Sequence, residues 1–196
     1  MSGVVIRPAA DERDIAWAAS LIARSFDHLD IDRYVVPDAG ERPGIMREFY
    51  GLLVAGAARG AGEVLITDGA VAVWFDRTTP VAEPADQGAR LAEITGPYLP
   101  RFEELFRLFE KHDPTEPHWE LAFLAVEPDR QGRGLGSTLM KHTHARLDEQ
   151  GVAAFLHATN PDNQRVYRRH GYAGMDPAAV PLPDGSAFHP MWRPAA

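Results

Sequence analysis

A run of six residues combines glycine and polar side chains in a spacing suited to binding phosphate. It reads Gln131-Gly132-Arg133-Gly134-Leu135-Gly136 and precedes an amphipathic segment. Glycine lets the backbone approach a ligand closely because no Cβ stands in the way. Unpaired N–H groups at the start of a helix carry the positive end of its dipole. The run therefore predicts a pyrophosphate site at a helix N-terminus.

Two common phosphate motifs do not describe this loop. A P-loop requires G-x-x-x-x-G-K-[ST], which the chain lacks. A dinucleotide fingerprint requires G-x-G-x-x-G and an acidic residue about 20 positions further on. Here the third glycine comes one residue early, and no such acidic residue ends a second strand. The plain alternative is a glycine-rich turn that caps an ordinary helix.

A second motif follows the loop at a distance of about 30 residues. Phe155 to Thr159 is a short apolar segment that predicts a strand, and Asn160-Pro161-Asp162-Asn163 follows it. Asp162 or Asn163 is expected to cap a short helix that runs through Tyr167 and ends at Gly171.

The two motifs together resemble the GCN5-related N-acetyltransferase (GNAT) superfamily. Q-x-x-G-x-G is similar to its acyl-coenzyme A loop, and Leu124-Ala125-Val126 to its fourth strand. Asn160, Tyr167 and Gly171-Tyr172 reproduce the family spacing of a later motif. Within the superfamily, Ala72 to Phe75 and Pro117-His118-Trp119 resemble puromycin N-acetyltransferase-like members. The similarity spans most of the chain and is strongest from Trp119 to Tyr172.

The resemblance implies acetyl-CoA as the cofactor and attack of an amine on its thioester within a ternary complex. Tyr167 would act as the acid that protonates the leaving thiolate, although its ring can also belong to the core. Asn163 either bonds the pantetheine arm or only caps the helix. The residues that the resemblance assigns to coenzyme binding are Leu124, Ala125, Val126, Gln131, Gly132, Arg133, Gly134, Leu135, Gly136, Ser137, Asn160, Asn163 and Tyr167.

Glu120 is the candidate general base. It lies six residues before Val126, where several GNAT members carry an acidic or imidazole base. A glutamate on an apolar strand is costly to bury without a partner, and burial would move its pKa toward a useful range. The alternative is that Glu120 is solvated or pairs with an arginine. His118 shares its face because strand side chains alternate, and we expect a structural role for it.

The acceptor is expected to be the amine of a small molecule, such as an aminonucleoside or another antibiotic-like compound. A protein or peptide amine is the first alternative, and a coenzyme-binding module without turnover is the second. The aromatic residues Phe102, Phe106 and Phe109 repeat at helical spacing, which favours core but also suits an apolar pocket. The residues proposed to contact the acceptor are Phe26, His28, Tyr34, Tyr50, Trp74 and His118.

Composition limits the other classes. The chain of 196 residues is 45% apolar, which suits a single acetyltransferase domain over 1–196. Its net charge of −8 argues against a nucleic-acid surface, and the lack of cysteine excludes an acyl-cysteine intermediate. His142 and His144 point to different sides of a helix, so no metal is expected. We expect no membrane contact, a cytoplasmic location, and a monomer or homodimer.

The predicted fold is α/β (α+β): a mixed, mostly antiparallel sheet of six to seven strands, splayed at the cofactor site and flanked by helices. Alternation and turn signals predict a hairpin at Asp68-Gly69, and Phe26 to Gly44 reads as a loop. Pro190 is expected to put the last strand at an edge or bulge. The remaining segments are a strand Val4 to Arg7, a helix with Ile15, Ala18, Ala19 and Ile22 inward, a helix Ile45 to Arg59 with Phe49, Leu52 and Leu53 inward, a helix Leu91 to Lys111 broken at Gly96-Pro97, and a strand Phe188 to Trp192.

Overall fold

The computed structural model describes residues 4–79 and 84–195. A π-helical turn, Ala57–Ala61, and two short 3-10 turns, Gly96–Tyr98 and Pro128–Arg130, supplement the α-helices. The α-helices of the described residues are α1 (Glu12–Phe26), α2 (Asp30–Val35), α3 (Arg42–Gly56), α4 (Gln87–Thr95), α5 (Leu99–His112), α6 (Leu135–Gln150) and α7 (Pro161–Arg168).

Eight strands of the described residues form one sheet in the order β1-β2-β3-β4-β5-β8-β6, and β7 pairs with β8 beside this path. All pairings are antiparallel except that of β4 with β5. This confirms the mixed, mostly antiparallel sheet. The count of eight exceeds the six to seven strands expected, because three of them, β1, β6 and β7, have only two residues each and are too short to show a strand pattern. The strands are β1 (Arg7–Pro8), β2 (Gly62–Thr67), β3 (Ala70–Asp76), β4 (His118–Val126), β5 (Ala153–Ala158), β6 (Ala173–Gly174), β7 (Val180–Pro181) and β8 (Ala187–Arg193).

The sheet opens between its two parallel strands. β4 pairs with β5 only from His118 to Glu120, opposite Ala153 to Phe155. Beyond Glu120, six residues of β4 continue without a β5 partner. A bulge lies at the start of this stretch, because the β3–β4 register shifts and leaves Ala122 unpaired. The gap is the predicted splay.

Strand alternation divides the core into two parts. Val71, Val73 and Phe75 of β3 pack against α1, α3 and α5 on one face, which we call the acceptor face. The residues between them, Ala70, Ala72 and Trp74, pack with Leu139, Met140 and Leu147 of α6 on the other, which we call the α6 face. Successive side chains of a strand therefore lie on opposite faces of the sheet, and each can be assigned to one of these two faces.

Helix α1 follows the predicted pattern. The Asp11 carboxylate caps it by accepting from the backbone N–H groups of Arg13 and Asp14. Ala18, Ala19 and Ile22 are buried and Ile15 packs beside them, as the period predicted. This helix packs along α3 on the acceptor face.

The predicted loop between α1 and the next helix was wrong over part of its length. Asp30–Val35 form α2, and α3 begins at Arg42 with Pro43 in its first turn. Tyr34 and Val35 are buried with Ile31 packed beside them, an i, i+3, i+4 spacing that anchors one helical turn and a half.

Two smaller predictions also need correction. The first strand pairs only at Arg7–Pro8, rather than from Val4. In α3, Phe49 is buried as predicted, whereas Leu52 and Leu53 are only half-buried. The other buried residues of this helix are Arg42, Met46, Tyr50, Val54 and Ala55. The broken helix was confirmed, with α4 and α5 meeting at Gly96.

The last strand, β8, is not an edge. It pairs with β5 on one side and with β6 and β7 on the other. The carbonyl of Pro190 accepts from Met175 N, so it points toward the short strands and away from β5. In an antiparallel strand the N–H of a residue points the same way as its carbonyl. The N–H that proline lacks would therefore point away from β5, and the pairing of β8 with β5 is preserved. Within residues 4–79 and 84–195, no helix has the length and apolar character needed to span a bilayer.

Candidate active site

The glycine loop presents an open backbone at the start of α6. Gly132 and Gly134 have φ of 72° and 82°, which favour glycine. A Cβ added to either would meet no atom within 4 Å, so the space beside them is open. No side chain caps α6 at Gly134. The N–H groups of its first turn are therefore available to an anion, as a pyrophosphate requires.

Neighbouring elements hold this loop in place. Arg130 pairs with Asp68 in the β2–β3 turn and lies near Glu127. Gln131 Nε2 donates to the carbonyl of Val126 at 3.3 Å, and Arg133 donates to the carbonyl of Asp129 at 2.9 Å. The side chains of Gln131 and Arg133 thus brace the loop, which leaves its backbone to face a ligand.

The free edge of β4 borders the same space. Leu124 and Val126 pack toward α6, whereas Ala125 is buried on the acceptor face. Gly136 lies beside Leu124 and Val126, since a Cβ added to it would come within 3.4 Å of Leu124 Cδ2, which is van der Waals contact. This edge can pair with an extended ligand arm, because β5 diverges from it.

Helix α7 begins at Pro161, before both of the residues that were expected to cap it. Asn160 is the N-cap, and its Oδ1 accepts from Asn163 N at 2.8 Å. The predicted caps Asp162 and Asn163 were wrong, because Pro161 occupies the first turn and its fixed φ suits that position. Asn163 Nδ2 donates to Thr159 Oγ1 at 2.8 Å, which orients its amide.

Tyr167 is a half-buried phenol on α7 that packs against the α6-face core. Its ring meets the edge of Tyr172 at 6.0 Å between centroids. Burial raises the pKa of Tyr167 to about 12. The hydroxyl therefore stays protonated at neutral pH and can donate a proton or a hydrogen bond.

A histidine network lies behind Tyr167. His144 Nε2 and the Tyr172 hydroxyl are 3.0 Å apart in the core, and burial lowers the pKa of His144 to about 4. His170 Nε2 lies 3.0 Å from Ser137 Oγ. Ser137 thus faces His170 and links the start of α6 to the segment after α7.

Glu120 is paired with an arginine. Arg77 Nε donates to Glu120 Oε2 at 3.0 Å, and its guanidinium lies over the Phe75 ring at 5.0 Å. The Glu120 side chain is 14% exposed and that of Arg77 is 49% exposed. The arginine pairing considered from the sequence is therefore present, on the acceptor face at the point where β4 leaves β5.

Three aromatic rings form a wall on the acceptor face. The centroids of Phe26, Tyr50 and Phe123 lie 5.0 to 6.3 Å apart. Phe26 and Phe123 are half-buried, and Phe123 adjoins the bulge. Because Phe123 stands next to the gap, the wall borders the open edge of β4.

A buried carboxylate supports this wall. The Tyr50 hydroxyl lies 2.8 and 2.9 Å from the two carboxylate oxygens of Asp32, to which it donates. Burial raises the pKa of Asp32 to about 7. Asp32 was missed in the sequence because it lies in the segment read as a loop.

The other acceptor candidates are scattered. Trp74 is fully buried on the α6 face against His144, so its side chain cannot join Tyr50 in one pocket. Tyr34 is buried under Arg101, and His28 is exposed. His118 is buried between Phe155 and Trp192, and its Nδ1 lies 2.7 Å from the carbonyl oxygen of Glu116.

A second titratable pair, also missed in the sequence, lies on the acceptor face. His157 Nε2 of β5 is 2.9 Å from Asp113 Oδ1 at the end of α5. Only the alternation of β5 after Phe155 could have indicated that the His157 side chain shares the face of Glu120.

The residues present fit acetyl-CoA. The uncapped helix start with its open glycine loop suits a pyrophosphate, and the unpaired edge of β4 suits a pantetheine arm. Tyr167 supplies a protonated phenol on the neighbouring helix. In coenzyme A the pyrophosphate is followed by the pantetheine arm, which ends in the sulfur that would face Tyr167.

Comparison with known proteins identifies relatives of this fold. Residues 103–172 match the model of the acetyltransferase (GNAT) family. The chain is similar to the crystal structure of a histone acetyltransferase HPA2 and related acetyltransferase from Corynebacterium glutamicum, with 25% identity and a TM-score of 0.74. That similarity covers 100% of this chain and 98% of the other.

Two further solved structures share the fold. A putative GNAT-family acetyltransferase from Desulfovibrio desulfuricans is 17% identical, with a TM-score of 0.57 over 99% of this chain and 100% of the other. Arylalkylamine N-acetyltransferase 2 from Aedes aegypti is 13% identical, with a TM-score of 0.59 over 100% of both chains.

Proposed function

We propose that this chain, an acyl-CoA-dependent N-acetyltransferase with the GNAT fold, acetylates the amine of a small molecule. The observation that supports a reaction centre here is the gap between β4 and β5. The uncapped start of α6 and the half-buried phenol of Tyr167 lie on its α6 side, and Glu120 on its acceptor face. Bound acetyl-CoA supplies an activated thioester, and the chain supplies its orientation and the proton transfers.

The reaction needs one group that accepts a proton and another that donates one. The acceptor nitrogen must lose a proton as it bonds to the acetyl carbon, and the departing sulfur must gain one. An amine of pKa near 10.4 held protonated at pH 7 adds roughly 4.6 kcal/mol to the barrier. Glu120 is the candidate proton acceptor that the sequence indicates, and one of its carboxylate oxygens already accepts from Arg77. Tyr167, protonated up to high pH, is the proposed donor.

The aromatic wall supports a small apolar or aromatic amine as the acceptor. Phe26 and Phe123 are half-buried and share the sheet face of Glu120. A ring packed on this wall would hold its amine near the bulge of β4. An aminonucleoside, as in puromycin acetyltransferase-like proteins, is one such acceptor.

The test measures thiol release from acetyl-CoA with four amines: an arylalkylamine, puromycin, an aliphatic diamine and a lysine-containing peptide. We expect the two aromatic amines to show kcat/KM at least about 10-fold above the peptide, because an apolar pocket contributes roughly 1–3 kcal/mol. Phe123→Leu should raise the KM of the aromatic amines and leave the KM of acetyl-CoA unchanged.

Two outcomes would contradict the proposal in different ways. Preference for the peptide would favour a protein or peptide amine as the acceptor. Tight coenzyme binding with no thiol release from any amine would identify a binding module without turnover.

A further inference from the structure

His157 of β5 lies on the acceptor face, just beyond the point where β4 and β5 separate. It follows Phe155, the last residue of β5 that pairs with β4, by two positions. Ala154, Leu156 and Ala158 pack on the α6 face, so the alternating Phe155 and His157 point to the acceptor face, as Glu120 does. His157 therefore borders the gap at the level just beyond Glu120.

Aromatic packing holds the His157 ring rigidly. Phe109 of α5 stacks on it with centroids 4.3 Å apart and planes inclined by 16°. Phe155 and Phe188 contact it edge-on, at 4.8 and 4.9 Å between centroids. With 10% of its side chain exposed, the ring is fixed yet remains accessible.

Asp113 approaches only one ring nitrogen. Its Oδ1 lies 2.9 Å from Nε2, without the alignment of a hydrogen bond, so the contact is an ion pair once the ring is protonated. Among the hydrogen bonds of the described residues, none involves Nδ1 of His157. A carboxylate at one nitrogen stabilises the imidazolium that forms when the other accepts a proton.

Glu120 and His157 are the two candidate proton acceptors on this face, and they differ in how freely each can accept a proton. Oε2 of Glu120 already accepts from Arg77 at 3.0 Å, so a proton arriving there must displace that contact. Of the groups packed on His157, Asp113 is titratable, whereas Phe109, Phe155, Phe188 and the paired Pro190 are not. The imidazole is thus the less encumbered acceptor.

We infer that His157 is a general base for the acceptor amine and that Asp113 positions it. The inference rests on the proposed function. The amine nitrogen bonds to the acetyl carbon while its proton passes to Nδ1 of His157, and the carbon–sulfur bond breaks. Tyr167 protonates the sulfur. Water then takes the proton from His157 and returns one to Tyr167, so amine and thioester become amide and thiol.

The experiment compares His157→Gln, Asp113→Asn and Glu120→Gln with the exposed control His142→Gln. His157→Gln should lower kcat/KM by about 10²- to 10⁴-fold and remove the acidic limb of the pH–rate profile. Added imidazole should restore part of the rate. Asp113→Asn should lower kcat and displace that limb, and His142→Gln should match the wild type.

Coenzyme affinity, measured by calorimetry, checks that each variant is folded. If His157→Gln fails this check, the Asp113→Asn profile decides: a displaced limb supports the inference, and an unchanged limb overturns it. A folded His157→Gln that keeps its rate and its limb, while Glu120→Gln loses both, also overturns it and leaves Glu120 as the base. A wild type inactive with every amine would instead contradict the proposed function.

Discussion

At the scale of single residues, protonation states distinguish the two sides of the gap. Tyr167 and Tyr172 are aromatic acids whose pKa values burial raises, and His144 is a base whose pKa burial lowers. All three side chains are therefore uncharged at neutral pH, although the Arg193–Asp148 ion pair lies close to His144. The acceptor face instead carries Glu120 with Arg77 and His157 with Asp113.

Tyr167→Phe tests the acid. We expect kcat to fall about 10²-fold or more, with the dissociation constant of acetyl-CoA within twofold, because the ring and its packing remain. Since the pKa of Tyr167 is about 12, it stays protonated below roughly pH 11 and should cause no basic limb in the wild-type profile.

Steady-state kinetics between pH 6 and 10 and coenzyme titration provide the measurement. Tyr98→Phe is the matched control, because the Tyr98 hydroxyl donates to Glu41 at the surface and to no other residue within 4–79 and 84–195. An unchanged kcat in Tyr167→Phe would exclude this hydroxyl as the proton donor.

Asp32 makes stability depend on pH. Its pKa of about 7 in the folded state exceeds its ordinary value of 3.8, so its contribution is complete below about pH 4 and is lost as the pH rises through 7. The slope reaches at most about 1.4 kcal/mol per pH unit. His144, with a lowered pKa, acts in the opposite direction.

Asp32→Asn should therefore flatten the fall in melting temperature between pH 5 and 8 relative to the wild type. The difference between the two melting curves isolates Asp32 from the histidines, which both proteins retain. Parallel curves across this range would mean that Asp32 does not take up a proton on folding.

At the scale of elements, the loop before α6 depends on backbone conformations that only glycine adopts without strain. Gly134→Ala keeps the open space but forces alanine into φ of 82°, which costs about 1–2 kcal/mol. We expect the melting temperature to drop by about 2–8 °C and the affinity for acetyl-CoA to weaken, because the N–H groups of the loop lose their orientation.

Gly88→Ala is the matched control for that substitution. Gly88 also has open space for a Cβ, but it lies in α4 without a positive φ, so alanine should leave the protein equally or more stable. Thermal melts with and without acetyl-CoA measure both effects. Equal coenzyme affinity in both variants would show that the loop conformation is not needed for binding.

At the scale of the whole molecule, three β4–β5 residue pairs join the two halves of the sheet in parallel register. A ligand in the gap would contact both halves and should stabilise the fold. At 100 times its dissociation constant, acetyl-CoA should add about 2.7 kcal/mol, or about 5–11 °C in melting temperature. Pantetheine lacks the pyrophosphate and should raise the melting temperature less at equal concentration. No shift with saturating acetyl-CoA would argue against binding in the gap.

Features that depend on a few consecutive residues could be predicted from the amino-acid sequence. The glycine loop, the start of α6 and the Asn160 to Tyr167 spacing were readable because a turn, a cap and a helix face are set by a few consecutive residues. Strand alternation likewise placed Glu120 and His118 on one face. Sequence patterns of secondary structure were weakest between Phe26 and Gly44. The six-residue helix α2 in this segment is too short to show a periodic apolar pattern, and packing against the rest of the molecule stabilises it.

Contacts between side chains of different elements could not be predicted from the sequence. Glu120 meets Arg77, Tyr50 meets Asp32 and His157 meets Asp113, and every pair joins two different elements. Trp74 and Tyr50 looked equivalent as aromatic candidates, yet the sheet separates them. Ion pairs and burial act through space over a few ångströms, whereas sequence patterns report spacing along the chain. The residues proposed to hold the acetyl donor could therefore be predicted from the sequence, whereas the residue pairs proposed for the acceptor form only when the helices pack on the sheet.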